Sequence, residues 1–186
     1  MNYRKVVRNS IMQQVLFATI LMVATASVFA DTFDIPQGLY GEFGFGSSPI
    51  TDQSGTSSGW GANFGLGYNF NRYIGAETDM NVLGAFSGAA ETATTFSIIA
   101  VGHIPVYRGL NIYLKGGESY NYVSYASTYS NSGTTLSGSG LETGAGFEFT
   151  LNDSSMRVGV DHFDLTAGGL PVSTNYLNLS FVSHID

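Results

Sequence analysis

The segment from Trp60 to Phe70 reads Trp-Gly-Ala-Asn-Phe-Gly-Leu-Gly-Tyr-Asn-Phe. Every even-numbered residue in it is apolar or aromatic, and every odd-numbered residue is glycine or asparagine. A period of two residues is that of an extended strand with two different faces. The polar face carries mostly glycine, whereas a solvated sheet surface carries Lys, Glu and Thr. The segment is also longer than the usual strand of ~5–6 residues, and ~9–11 residues is the length of a tilted strand that crosses a membrane.

The same alternation recurs along the chain. From Leu141 to Leu151, for example, Leu, Thr, Ala and Phe alternate with Glu, Gly and Thr. We count eight such runs, at about 38–46, 60–70, 73–83, 94–106, 110–125, 139–151, 156–166 and 174–185. The sequence therefore predicts an all-β fold, an eight-stranded antiparallel up-and-down transmembrane β-barrel.

The connections between these runs alternate in length. Three are tight and rich in Asn, Pro, Gly and Asp, which favour turns. Four are longer and rich in Ser, Thr and Gly, at 47–58, 84–92, 127–138 and 167–173. This alternation predicts that the tight turns lie at one end of the barrel together with both termini. Closure of the sheet is required because lipid offers no partner to the N–H groups of an open edge.

The composition excludes several other classes of protein. Only 11% of the 186 residues are charged and 13% are aromatic, whereas about 25% are charged in an average soluble domain. After residue 30 no segment supplies the ~18 apolar residues of a spanning helix. Apolar residues are spread along the whole chain, which argues against disorder. The net charge of −7 argues against nucleic-acid binding.

Residues 1–30 have the organisation of a secretory signal peptide. Arg4, Lys5 and Arg8 precede an apolar segment from Val15 to Val23, and small residues follow up to Ala30. We expect cleavage before Asp31, with residues 31–186 forming the barrel domain. An uncleaved membrane anchor is the alternative interpretation. Without cysteine, the exported chain can form neither a disulfide nor a lipoprotein anchor.

One hairpin of the sequence resembles a known family. Gly67-Tyr68-Asn69-Phe70-Asn71-Arg72-Tyr73-Ile74-Gly75-Ala76-Glu77, followed by Leu83-Gly84, is similar to the second-to-third strand hairpin of the OmpA-type outer-membrane β-barrels. The segments Ile112–Gly117 and Gly146–Phe149 resemble further parts of that family. The resemblance implies a barrel in the outer membrane of a Gram-negative bacterium. It also implies a barrel-only, porin-like or surface protein without the periplasmic peptidoglycan-binding domain of full-length members.

The same resemblance implies a ladder of charged side chains inside the barrel. Glu77, Lys115, Glu148 and Arg157 match interior positions of the family, and alternation independently places Glu77 and Glu148 on the inward face. We expect the two cations to bridge the carboxylates, because unpaired charges in a narrow barrel are costly. The family's basic residue on the fourth strand is missing, since Ala100 and Val101 occupy that region. Further acidic residues in or near the lumen are Glu42, Asp79, Glu142 and Asp161.

This excess of acidic residues has two interpretations. It could give a small, weakly cation-preferring pore, or it could belong to a packed polar core, since eight strands enclose little more than side chains. Glu118 does not fit the pattern, because alternation from Lys115 points it at lipid. A bulge near Gly116 and Gly117, or a position above the membrane, would each account for it.

The sequence offers little support for catalysis. His103, His162 and His184 are isolated, without the spacing of a metal site, and we expect no catalytic residue, no metal and no cofactor. The alternative is a lipid A-modifying barrel enzyme, since outer-membrane lipid A deacylases carry a His-x-Ser pair. In Asp161-His162-Phe163-Asp164 the serine position is Asp164, which cannot act as that nucleophile.

The expected function is therefore that of a non-enzymatic outer-membrane barrel with a structural and surface-presentation role. Its expected partners are outer-membrane lipid and lipopolysaccharide, and loops 47–58 and 127–138 are where a host-surface or extracellular ligand would bind. We expect a monomer that binds no nucleic acid. A soluble periplasmic sandwich or carrier is a further alternative. Candidates for aromatic girdles at the membrane interfaces are Trp60, Tyr68, Phe70, Tyr73, Tyr107, Tyr120 and Tyr176.

Overall fold

The structure is a computed structural model that describes residues 35–48, 50–52, 55–57, 59–85, 90–107, 109–125, 134–151, 153–167 and 170–185. The predicted leader, residues 1–30, lies outside this range. The described residues form ten strands: β1 (Gly38–Ser47), β2 (Ile50–Asp52), β3 (Gly55–Ser57), β4 (Gly59–Asn71), β5 (Ile74–Ala85), β6 (Ala90–Tyr107), β7 (Leu110–Tyr125), β8 (Thr134–Leu151), β9 (Ser154–Ala167) and β10 (Leu170–Ile185).

Eight of these strands close into a barrel. β1 and β4 to β10 pair in chain order, each antiparallel to the next, and β10 pairs with β1 to complete the ring. The predicted eight-stranded antiparallel barrel is therefore confirmed. No described helix is long and apolar enough to cross a membrane.

The strands are staggered as they pass around the barrel. Starting at Gly38 on β1 and moving from each residue to its partner on the next strand leads around the barrel to Tyr176 on β10. Tyr176 precedes Leu177, which pairs with Ser47 of β1. The circuit thus returns to β1 at position 48, ten residues beyond its start, and such a stagger requires tilted strands. Its intermediate positions are Asn69, Gly75, Val101, Lys115, Gly144 and Asp161.

The strands extend further from the tight turns than their composition predicts. β6 begins at Ala90 and β8 at Thr134, several residues before the expected starts at 94 and 139. The expected loop 47–58 contains strands β2 and β3. Ile50 of β2 pairs with Ser57 of β3, which continues the register in which Ser47 of β1 pairs with Trp60 of β4. The loops expected at 47–58, 84–92, 127–138 and 167–173 are wrong to the extent that each contains strand residues. Ser, Thr and Gly are typical of loops, but here the backbones of these residues continue the hydrogen-bonded pairing of the strands.

Alternation along each strand separates an apolar outside from a polar inside. In β4 the odd-numbered residues from Gly59 to Asn69 are buried, while Phe64, Leu66 and Phe70 are exposed. The most exposed apolar side chain on the barrel wall is Ile98, at 74%. A soluble sheet protein buries such a face against a core, so this outward apolar surface requires lipid.

Candidate functional site

The inward-facing residues of β5 and β9 show how the barrel interior is layered. Starting from the tight turns, β5 presents Glu77, Asp79, Asn81 and Leu83 in succession. β9 presents Ser155, Arg157, Gly159, Asp161, Phe163 and Leu165. Both series pass from charged residues to apolar residues toward the end with the longer connections. The interior therefore has a charged lower part and an apolar upper part.

Arg157 binds three carboxylates in the lower part of the lumen. Its Nη1 lies 2.6 Å from Glu42 Oε2 and 2.5 Å from Glu77 Oε1, and its Nε lies 3.0 Å from Glu148 Oε2. All four side chains are at most 5% exposed. We call these four residues the Arg157 cluster. It joins strands β1, β5, β8 and β9, so one guanidinium links four sides of the barrel.

Lys115 forms a second group next to the first. Its Nζ lies 3.1 Å from Asp161 Oδ2, 3.3 Å from Glu142 Oε1 and 3.5 Å from Asp79 Oδ2. These four residues, the Lys115 cluster, are also buried. The two clusters together contain six carboxylates and two cations, so their formal net charge is −4.

Neutral side chains add hydrogen bonds to both clusters. Tyr40 donates its hydroxyl to Glu77 Oε1 at 2.5 Å, and Asn63 donates to Glu42 Oε1 at 2.8 Å. In the Lys115 cluster, Ser97 donates to Glu142 Oε2 and Asn178 donates to Asp161 Oδ2, each at 2.5 Å. Such bonds are necessary, because a buried charge is tolerated only when it is paired and hydrogen-bonded.

Aromatic rings also surround the guanidinium of Arg157. Its Cζ lies 5.4 Å from the ring centroid of Tyr40 and 5.3 Å from that of Tyr113, within the range of a cation–π contact. Glycine provides the room for Tyr40, because a Cβ added at Gly67 would lie 2.2 Å from Tyr40 Cζ. Inward glycines thus make space for large interior side chains.

An apolar cluster fills the lumen above the charged residues. Its members are at most 1% exposed and come from β5, β6, β7, β9 and β10. Leu136 of β8 packs against the cluster. We call the six buried residues the apolar plug: Leu83, Ala93, Val123, Phe163, Leu165 and Tyr176. Apolar side chains therefore occupy the lumen at the end away from the tight turns.

The eight residues expected to form the interior charge network all lie inside the barrel. Glu77, Glu148 and Glu42 contact Arg157, while Asp79, Glu142 and Asp161 contact Lys115. Val101, in the region of the missing basic residue, is buried beside Ile99 and Tyr113.

The structure gives the orientations of Glu118 and Tyr176. Glu118 is exposed and faces outward, and the pairing of β6 with β7 is continuous through Gly116 and Gly117, so no bulge turns it inward. Tyr176 is wrong as a girdle residue, because it is fully buried in the apolar plug. The reason is alternation along β10, where Leu177 faces outward and its neighbour must face inward.

Sequence reasoning missed other interior residues. His103 is buried, with Nδ1 3.4 Å from Glu148 Oε2, although its position alone gave no sign of a partner. The apolar plug was missed because an inward Leu or Phe looks in sequence like any strand residue. Strand parity extended from Asp161 would have placed Phe163 and Leu165 inside.

The outward side chains near the end of β9 bear on the enzyme hypothesis. His162 is exposed, and its Nδ1 lies 2.8 Å from Asn175 Oδ1 on β10. Asp164 is exposed on the same face, two residues further along β9. Among the residues that the structure describes, no group of three or more His, Asp or Glu side chains is arranged to hold a metal ion.

The family model of the outer membrane protein beta-barrel domain matches residues 16–183. The chain belongs to this family. Membership confirms the OmpA-type resemblance and places this outer-membrane barrel in the outer membrane of a Gram-negative bacterium. Tight turns face the periplasm in such barrels and the longer connections face outward, so the apolar plug lies at the extracellular end.

Solved structures of similar shape are also outer-membrane barrels. Neisserial surface protein A is 14% identical, with a TM-score of 0.71, over 80% of this chain and 97% of that one. Ail of Yersinia pestis is 15% identical, with a TM-score of 0.55, over 79% and 99%. The N-terminal β-barrel of Pseudomonas aeruginosa OprF is 14% identical, also at 0.55, over 78% and 98%. No curated protein matches the chain in sequence.

Proposed function

We propose that this outer-membrane barrel has a structural and surface-presentation role and no catalytic activity. One observation carries the proposal: the interior is occupied by ion pairs and an apolar plug, while the outer wall is apolar. Such a barrel offers lipid contacts on its wall and a rigid base for its extracellular connections. Among the residues that the structure describes, the interior offers no open site for a substrate.

The lipid A-modifying alternative has little chemical support. His162 is paired with an amide, and the residue two positions later is Asp164, whose carboxylate cannot replace a serine nucleophile. The family relationship supports the same choice, since the similar solved structures are named as surface, attachment or barrel proteins.

A small cation-preferring pore is the second candidate. The observation that favours it is the formal excess of four carboxylates over cations in the two clusters. The apolar plug weighs against conduction, because an ion would have to leave its hydration shell to pass buried hydrocarbon. We therefore rank the pore below the surface role.

We propose outer-membrane lipid and lipopolysaccharide as the partners of a monomeric barrel, with any extracellular ligand at 47–58 or 127–138. One structure of Ail contains the heparin analogue sucrose octasulfate. A sulfated ligand needs basic side chains. After residue 30 this chain has only Arg72, Arg108, Lys115 and Arg157, of which Lys115 and Arg157 are buried inside. An extracellular ligand of this barrel would therefore differ from a polyanion.

Membrane fractionation tests the proposal. Overproduced protein should be found only in detergent extracts of outer membranes, should migrate differently on gels before and after heating, and should have the mass of a chain beginning at Asp31. The lipid A of these cells should have the same acyl pattern as lipid A from vector-only cells. Protein in the soluble fraction would exclude the membrane role, and an altered acyl pattern would exclude the non-catalytic one.

A further inference from the structure

A cavity lies beside the tight turn that joins β4 to β5. Its volume is about 590 Å³. Its walls come from two segments, residues 35–37 before β1 and residues 71–73 at the turn. The lining residues are one cation, two side-chain amides, one tyrosine and two apolar residues: Arg72, Gln37, Asn71, Tyr73, Pro36 and Ile35. None of them belongs to the charged clusters or to the apolar plug, so the cavity is a separate feature of the barrel.

Hydrogen bonds hold both walls of the cavity in place. Asn71 Oδ1 accepts hydrogen bonds from the backbone amides of Tyr73 and Ile74, at 2.8 and 3.1 Å. Asn69 Nδ2 donates to the Pro36 carbonyl at 3.1 Å, which ties the segment before β1 to the base of β4. The two segments that form the cavity are therefore fixed to the same hairpin.

The polar groups of the cavity suit an anion. The guanidinium of Arg72 lies against the ring of Tyr73, with Cζ 5.3 Å from the ring centroid. A guanidinium has planar N–H donors that match the oxygens of a phosphate in pairs, and the side-chain amides of Gln37 and Asn71 carry N–H donors as well. The apolar residues of the same cavity suit hydrocarbon next to that anion. Together they match an amphipathic molecule with an anionic group.

The cavity lies where the lipid-facing wall ends on the periplasmic side. Phe70 and Ile74, on the two sides of the turn, are 59% and 42% exposed on the outer face of the barrel. The ring of Tyr68, the preceding outward residue of β4, lies 5.4 Å from that of Phe70. Aromatic residues at the edge of such a wall mark the boundary between hydrocarbon and head groups. Arg72 therefore lies at the level of the head groups of the inner leaflet, which consists of phospholipids.

We propose that this cavity binds the phosphate of an inner-leaflet phospholipid, with Arg72 as the phosphate ligand and the apolar lining against the glycerol and the first part of an acyl chain. Two observations select this occupant. The cavity continues the lipid-facing wall, and the charge of its cation is opposite to that of a phosphate. The inference rests on the proposed lipid contacts of the wall and names the head group at one place on it. Lipopolysaccharide lies in the opposite leaflet and does not reach this turn.

Lipid retention by refolded protein tests the proposal. Protein in detergent micelles is mixed with increasing amounts of phosphatidylglycerol, and native mass spectrometry measures the fraction of molecules that retain one lipid. The comparison lipid is diacylglycerol with the same acyl chains, which lacks the phosphate. Arg72→Gln removes the cation and Arg72→Lys keeps it. The matched control, Arg108→Gln, removes the same charge from the sequence of the turn between β6 and β7. Heat-modifiable migration on gels verifies the fold of each variant.

We expect the wild-type protein and Arg108→Gln to retain one phosphatidylglycerol in a saturable manner. Arg72→Gln should bind it about tenfold more weakly, as expected for the loss of one charge-assisted hydrogen bond. Arg72→Lys should lie between the two, because an ammonium is a point charge. Equal weakening by the two glutamine variants, or diacylglycerol retained as tightly as phosphatidylglycerol, would overturn the site. Displacement of the lipid by equimolar glycerol phosphate would show a site for soluble phosphates and overturn the choice of lipid.

Failure of this site and failure of the proposed function give different results. A folded barrel that retains no phosphatidylglycerol would refute the head-group site and leave the surface role in place. Protein recovered in the soluble fraction of cells would refute the membrane role itself.

Discussion

Arg157 shows how one side chain can organise a barrel interior. Its three carboxylate partners come from β1, β5 and β8, and two tyrosine rings lie beside its guanidinium. Arginine suits this position because its planar group has five donors in fixed directions, whereas a lysine ammonium is a point charge. Lys115, with contacts of 3.1–3.5 Å, forms a looser cluster than Arg157, with contacts of 2.5–3.0 Å.

Removal of the Arg157 charge should destabilise the barrel strongly. Arg157→Met leaves Glu42, Glu77 and Glu148 buried without their shared cation, and breaking a buried ion pair costs about 3–5 kcal/mol. The measurement is urea unfolding in lipid vesicles, followed by the fluorescence of Trp60, which is the one tryptophan of the chain. The control is Glu118→Gln, an outward-facing carboxyl. Equal unfolding midpoints for the two variants would contradict the assigned role of Arg157.

At the level of elements, the tight turns fix the hairpins. The turn between β6 and β7 contains Gly109, whose φ of +68° lies in the left-handed region that favours glycine. Its carbonyl accepts a hydrogen bond from the Thr150 amide at 2.7 Å, which ties this turn to β8. The sequence predicts this turn from its composition, but the contact with β8 depends on the position of a strand about 40 residues away.

Gly109→Ala should destabilise this hairpin. A non-glycine residue in the left-handed region costs roughly 1–2 kcal/mol, and its Cβ would lie 2.7 Å from the Thr150 carbonyl oxygen. The matched control is Gly102→Ala on β6, where the nearest atoms are 4.0 Å from the added Cβ. Urea unfolding in vesicles should separate the two alanine variants, and a control that is as destabilised as Gly109→Ala would refute the explanation.

Strand lengths also show what composition can and cannot predict. The observed bounds of β7, Leu110–Tyr125, are those that the sequence predicts, because aliphatic and aromatic residues recur along its length. The sequence predicts that β8 starts at 139, five residues after its observed start at Thr134. The reason is that the residues from Thr134 onward are Thr, Leu, Ser and Gly, which resemble a loop. Pairing with β7, in which Thr134 lies opposite Tyr125, extends the strand, and such pairing is a property of the hairpin and not of either segment alone.

On the scale of the whole molecule, the barrel reverses the arrangement of a soluble protein. Its large exposed apolar side chains form a belt around the wall, and most of its buried side chains inside are polar or charged. Near the extracellular end, the β7–β10 side of the wall carries polar residues such as Glu118 and His162, which we expect at the level of the lipid head groups. The free energy of insertion therefore depends on the height of an outward side chain.

A charge placed in the belt should impair insertion. Val158 faces outward on β9, and Val158→Arg should cost about 2–4 kcal/mol if it lies near the bilayer midplane. Ser137→Arg, also outward but near the extracellular start of β8, should cost less than about 1 kcal/mol. The yield of heat-modifiable protein after refolding into vesicles measures both, and equal yields would contradict the assigned position of the belt.

The sequence by itself determined the number of strands, the face that each strand turns to lipid and the sign of the charge in the lumen. These follow from a period of two residues, which lipid on one side and a narrow interior on the other impose locally on every strand. Only the tertiary structure decided that Arg157 meets Glu42, 115 positions away, while Lys115 meets Asp161. It also decided that Phe163 and Tyr176 close one end. The physical reason is the ten-residue stagger of the closed sheet, which sets the height of every inward side chain and is not a property of any single strand.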